Sequence, residues 1–137
     1  MKPETLAKSN QSEHSQQVAL MAWAALERHN HPELRWLFAI PNGGQRSAVA
    51  GARLRAEGAR RGVWDLNLPV RRPGPLQTAW CGLWIEMKAP GLQNRKNGGL
   101  TDEQVEFGEF VKSQGYFTAV CYSWEEAKDV ILTYLKF

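Results

Sequence analysis

Residues 63–70, Val63-Trp64-Asp65-Leu66-Asn67-Leu68-Pro69-Val70, and residues 80–88, Trp80-Cys81-Gly82-Leu83-Trp84-Ile85-Glu86-Met87-Lys88, are two short apolar runs. Between them lies a turn-forming stretch, Arg71 to Gln77 (RRPGPLQ). The first run alternates apolar with polar side chains, and both are bounded by turn residues, which predicts two strands able to pair as a hairpin. Alternate side chains of a strand share a face. Glu86 and Lys88 then point one way, while Ile85 and Met87 point the other. If the strands pair, Asp65 and Glu86 converge on one spot.

Working outward, a helix is expected from about Ser12 to His29. Its apolar face would be Val18, Met21, Ala22 and Ala25, widened by Trp23 and Leu26. Pro32 marks its end or the loop beyond it. Leu34 to Ile40 (LRWLFAI) predicts a first strand, followed by the turn Pro41-Asn42-Gly43-Gly44. A short helix from Ser47 to Arg60 would end near Gly58. After the hairpin, Ala89 to Gly99 (APGLQNRKNGG) is a polar loop. A helix from Thr101 to about Gln114, a strand from Tyr116 to Tyr122 and a last helix after Ser123 complete the order. That last helix carries the stripe Ala127, Val130, Ile131, Tyr134 and Leu135 and opens on a Ser123/Glu126 capping box. The expected architecture is α/β, a central mixed sheet flanked by helices in the order αβ(α)ββαβα.

The chain has 137 residues, 43% apolar and 23% charged, which suits one globular domain and excludes a fibrous or disordered class. Residues 1–11 are expected to form a flexible leader and residues 12–137 the domain. The longest apolar stretch, Val18 to Leu26, is about half of the ~20 residues that span a bilayer, and the polar N-terminus has no signal-peptide core. No membrane association is expected. Cys81 and Cys121 form no metal-spacing pair and no disulfide framework, which fits a reducing, cytoplasmic setting. Both cysteines are expected in the core. The net charge of +3 decides little, but seven arginines fall between Arg46 and Arg72, against Glu57 and Asp65 alone. Such an excess suits a polyanionic partner, or equally an ordinary solvated surface.

Two converging carboxylates suit a hard divalent cation, which prefers oxygen ligands and keeps several waters. A neighbouring lysine can position water or offset charge that grows in a transition state. Asp65, Glu86 and Lys88 therefore have the makings of a phosphodiester-hydrolysing centre. The plainer alternative makes Glu86 and Lys88 a solvent-facing pair on an edge strand, with Asp65 capping a turn. No histidine or cysteine spacing supports zinc, and no phosphate-cradling glycine loop or nucleophile elbow is present.

Taken in order, these residues resemble a known family. Gly62-Val63-Trp64-Asp65-Leu66, Ile85-Glu86-Met87-Lys88 and Gln104 resemble the PD-(D/E)xK restriction-endonuclease-like nucleases, and more narrowly their VRR-NUC branch. Glu13 and Gln17, the Pro41-Asn42-Gly43-Gly44 turn, Gly51, Leu54, Gly58 and Gly115-Tyr116 extend the likeness over residues 12 to 135. One departure is Trp64, where the family usually has proline; a core-packing role is expected for it. The resemblance implies Mg2+ or Mn2+ as cofactor, with Asp65, Glu86 and the main-chain carbonyl of Met87 as ligands and Lys88 as the catalytic lysine. It adds Glu13 as a further ligand or a contact through water, and Gln104 as a functional glutamine. Both have other readings from the residues alone: Asn10 and Glu13 make a passable capping box, as do Thr101 and Gln104.

The substrate that the resemblance implies is branched DNA, such as a four-way (Holliday) junction, with a flap or replication-fork nuclease as the close rival. Stand-alone members are typical of phage and prophage genomes, and symmetric cutting of a junction implies a homodimer. No organic cofactor is implied. Arg46, Arg53, Arg55, Arg60, Arg61, Arg95 and Lys96 are expected to grip the phosphate backbone without reading sequence. A DNA-binding module that has lost catalysis, hinted at only by Trp64, and an enzyme that cuts RNA or acts within a larger replication complex are the alternatives.

Overall fold

The computed structural model describes residues 3–41 and 47–137, with side chains from residue 13 onward. Asn42 to Gly44 of the expected turn, and Arg46, lie outside the described residues.

Helix α1 spans Pro3–Glu27 and so starts well before Ser12. Proline is tolerated in a first helical turn because its missing N–H has no partner there anyway. The early start corrects the reading of Asn10 and Glu13 as a capping box, because both lie inside the helix. The inward face is also displaced from the expected one. Leu20 and Ala24 are buried, Met21 and Trp23 are partly so, and Val18 and Leu26 are exposed. Apolar residues occur around much of this helix, so periodicity alone could not fix which side packs.

Pro32–Trp36 forms a 3-10 turn rather than the start of a strand. Leu34 within it and Leu37 just after it are buried, three apart as a tight helical turn requires. Strand β1 is left with only Phe38–Ala39. Helix α2 (Ala48–Ala56) is capped by Ser47, whose Oγ accepts from the Ala50 N–H at 3.1 Å. Gly58, with φ of 109°, turns the chain out of it.

The two central runs pair as expected but over shorter lengths. Strand β2 is Leu66–Leu68. A small separate hairpin, β3 (Arg72–Pro73) and β4 (Ala79–Trp80), intervenes before β5 (Leu83–Met87). The second run breaks at Cys81-Gly82, where Gly82 sits against the Leu68 carbonyl and the Tyr116 ring and an added Cβ would lie 3.2 Å from each. Helix α3 (Asp102–Ser113), strand β6 (Phe117–Cys121) and helix α4 (Trp124–Leu135) follow.

The main sheet has the order β1-β2-β5-β6. β1, β2 and β5 run antiparallel, and β6 is parallel to β5, because α3 makes the crossover between them. One face of the sheet presents Leu66, Leu68, Leu83, Ile85 and Met87 to α1 and α4, where they meet Leu20, Ala24, Ala127, Ile131 and Tyr134 in the core. The opposite face is covered by α3, through the edge-on contact of Phe107 with Trp84 at 5.1 Å. The expected α4 stripe is the buried one, with Val130 only partly covered. Its capping box is shared differently: Ser123 Oγ accepts from the Glu126 N–H, while Glu126 Oε2 accepts from Tyr122 N–H. Cys121 is buried, but Cys81 is exposed, contrary to expectation. Among the described residues no helix is long and apolar enough to cross a membrane.

Candidate active site

β5 lies inside the sheet, so the edge-strand reading of Glu86 and Lys88 fails. The β2–β5 register pairs Leu66 with Ile85 and thereby sets Asp65 beside Glu86. The Asp65 N–H donates to Glu86 Oε2 at 3.2 Å, and the Met87 N–H donates to Asp65 Oδ2 at 2.9 Å. Each carboxylate is thus held by the main chain beside the other. Lys88 Nζ stands 3.5 Å from Glu86 Oε1. Glu86 is 1% exposed and Lys88 9%.

Burial of this kind is costly unless charges compensate. Burial first, and the neighbouring Asp65 second, push the Glu86 carboxyl up to about 8, against the opposing pull of Lys88. Asp65 is also raised, chiefly by burial. Two carboxylates and one ammonium leave an excess of negative charge when fully ionised, so the group that would relieve them is cationic. Among the described residues no three His, Cys, Asp or Glu side chains form a ready cation cage. The donor set is two acidic side chains beside main-chain groups, which suits an ion that binds through one or two carboxylates and keeps its waters, as Mg2+ does.

Gln104 joins the pair from α3. Its Nε2 donates to Glu86 Oε1 at 2.8 Å, while its Oε1 accepts from the Thr101 N–H at 3.0 Å. Thr101 Oγ1 in turn accepts from the Gln104 N–H, which completes a capping box. The two readings of Gln104 therefore hold together: one amide caps the helix and reaches the carboxylate. Glu13, on α1, lines the same cleft, and burial raises its carboxyl, opposed by Lys88 and reinforced by Asp65. Gln17 does not line it, whereas Gln16 accepts from the Trp124 N–H at 2.8 Å and ties α1 to α4.

The cleft has a volume of about 630 Å³. Arg55, Arg60 and Arg61 line it together with Asp65, Glu86 and Lys88. Arg53, Arg95 and Lys96 are exposed and do not line it. The Lys96 loop is instead pinned by Tyr122, whose hydroxyl donates to the Gly98 carbonyl at 2.7 Å. Sequence reasoning missed a contact at the back of the site: the Trp64 indole Nε1 donates to the Gln104 carbonyl at 2.8 Å. The available signal was a tryptophan beside the acidic residue, with a glycine, Gly108, on the facing side of the next helix.

No protein-family model and no curated protein matches the sequence. Among solved structures, the chain is similar to one described as a VRR_NUC domain protein, with a TM-score of 0.71 and 23% sequence identity over 91% of this chain and 88% of that one. The fold is therefore that of a VRR-NUC domain, spanning nearly the whole chain.

Proposed function

We propose that this protein is a Mg2+- or Mn2+-dependent DNA endonuclease that hydrolyses phosphodiester bonds. The observation that carries the reading is the buried pairing of Asp65 with Glu86, with Lys88 3.5 Å from Glu86, in a cleft that Arg55, Arg60 and Arg61 also line. The VRR-NUC fold supports the same reaction class. Asp65, Glu86 and the Met87 carbonyl would hold the ion, with Glu13 beside them. When bound, the ion supplies an acidified water and neutralises charge on the scissile phosphate. Lys88 offsets the negative charge that develops on the phosphoryl oxygens. Gln104 keeps one oxygen of Glu86 engaged, and so holds the carboxylate's orientation. The arginines seat the phosphate backbone, a contact that positions DNA without reading its bases.

We assign branched DNA, four-way junctions first, as the substrate, with a homodimer placing two such clefts on one junction. The test compares cleavage of junction, flap and linear duplex DNA with and without Mg2+ or Mn2+. Asp65→Ala and Lys88→Ala are expected to abolish cutting and leave DNA binding largely intact; retained cutting by Asp65→Ala would refute the centre. Preference for the flap would move the substrate to replication-fork structures, and sedimentation of the wild type as a monomer would remove the paired-cleft arrangement.

A further inference from the structure

Trp64 is 4% exposed and stands immediately before Asp65. Its indole reaches α3 at three points. Nε1 donates to the Gln104 carbonyl at 2.8 Å. The ring packs against Phe107, with centroids 6.4 Å apart. Gly108 provides the space for it, because a Cβ there would collide with Cζ2 of the indole. Two residues upstream, Gly62 has φ of 85° and lies so close to α3 that an added Cβ would be 2.6 Å from the Glu103 carbonyl carbon. The segment 62–64 is therefore pressed on the first two turns of α3, and both glycines are required by that close approach.

These contacts close a circuit. The Trp64 side chain holds the Gln104 main chain, and the Gln104 side chain holds Glu86 Oε1. Glu86 Oε2 accepts from the Asp65 N–H, and Asp65 is covalently next to Trp64. Both oxygens of Glu86 are thus referred to the position of one indole. The Gln104 amide has no spare freedom either, because its oxygen is taken by the Thr101 N–H. A proline at position 64 would have neither the ring nor the donor to make this link.

We propose that Trp64 is a positioning residue for the active centre, acting through Gln104 to fix the Glu86 carboxylate against Asp65. The inference rests on the nuclease reading above and gives that site a part supplied by the residue in which the chain departs from the family pattern. Its mechanism is preorganisation. A displacement of about an ångström at a reacting centre can cost up to about a hundredfold in rate, even when binding is intact.

The experiment uses the full chain and Trp64→Phe, which keeps an aromatic ring and removes the donor. Well below the unfolding temperature, kcat should fall about tenfold or more with KM for DNA unchanged. Gln104→Ala should fall similarly, and the double variant should be no worse than Gln104→Ala alone, because the two act in series. Unchanged kcat in Trp64→Phe, or losses that multiply in the double variant, would overturn the proposal. Gly108→Ala is the second variant. It should lower kcat by crowding the indole, and do so much less in the Trp64→Phe background, where the colliding edge is gone; an equal loss in both backgrounds would count against the proposal.

A readout independent of cutting is hydrogen exchange of the Gln104 side-chain amide, followed by NMR without metal. Protection in the wild type and its loss in Trp64→Phe support the link, and unchanged protection refutes it. If the wild type cuts no DNA, the nuclease reading fails by itself, while this exchange measurement still decides whether Trp64 holds Gln104.

Discussion

Glu86 is a buried carboxyl whose place in the proposed centre comes at the expense of stability. Its folded pKa is raised to about 8 from the ordinary 4.5, first by burial and then by Asp65. In the sign of the linkage, the folded protein holds this proton more tightly than the unfolded chain does. Below about pH 4.5 the group is neutral in both states and costs nothing. Between about 4.5 and 8 the unfolded chain gives up the proton first, so stability falls as pH rises. The metal-free protein should therefore lose stability across that window, and Glu86→Gln should flatten the loss. At pH 8 the variant is expected to melt several degrees above wild type while cutting no DNA, a stability–activity trade-off read by thermal unfolding across pH. A midpoint at pH 8 equal to or below that of wild type would show that Lys88 and Gln104 already compensate the charge in full. The residue types at the site, Asp65, Glu86, Lys88 and Gln104, were legible in the sequence because strand alternation and a capping pattern place them. The Trp64 indole bond was not, because it joins residues 40 apart in the chain and no local period reports it.

At the scale of elements, α3 and α2 do different work for the cleft. The capping box at the α3 N-terminus holds the turn from which Gln104 reaches Glu86. Thr101→Ala should cost about 1 kcal/mol of stability and also lower kcat, since the lost Oγ1 holds the Gln104 main chain from which the amide reaches Glu86. Thermal unfolding and steady-state kinetics on the same preparation check both. Helix α2 instead turns out at Gly58 and returns the chain so that Arg60 and Arg61 join Arg55 in lining the cleft. Replacing Arg55, Arg60 and Arg61 by Ala together should weaken DNA binding and flatten its logarithmic salt slope by about 2–3, at roughly 0.9 per phosphate contact. Arg53→Ala should do much less, and an unchanged slope in the triple variant would place the DNA elsewhere. The amphipathic helices α3 and α4 could be read from the sequence because one face of each is clearly apolar. The phase of α1 and the length of β1 could not. Apolar side chains surround α1, and Pro32 starts a 3-10 turn whose spacing of three competes with strand alternation over the same residues.

Across the whole molecule, protons and folding draw on the two carboxylates that the proposed ion would use, so the three equilibria are expected to be coupled. A cation that binds only the folded state stabilises it, by about 2.7 kcal/mol at a hundredfold excess over Kd. For a chain of this size that is on the order of 10 °C in Tm. The ion must compete with the proton on Glu86, so its apparent affinity should rise with pH up to about 8, where the carboxyl ionises unaided, and then level off. Ca2+ or Mn2+ added without DNA should therefore raise Tm little at pH 5.5, more at pH 7 and most near pH 8.5. The metal-free curve falls over the same range, so the gap between the two curves widens from both sides. Asp65→Ala should lose the widening, because it removes one half of the pair. Arg60→Ala should keep it, since that arginine lines the cleft without belonging to the carboxylate pair. Equal metal-induced shifts in wild type and Asp65→Ala would mean that the ion binds away from the Asp65–Glu86 pair. The two-carboxylate centre would then have to work by burial and Lys88 alone, which leaves its excess negative charge without a partner.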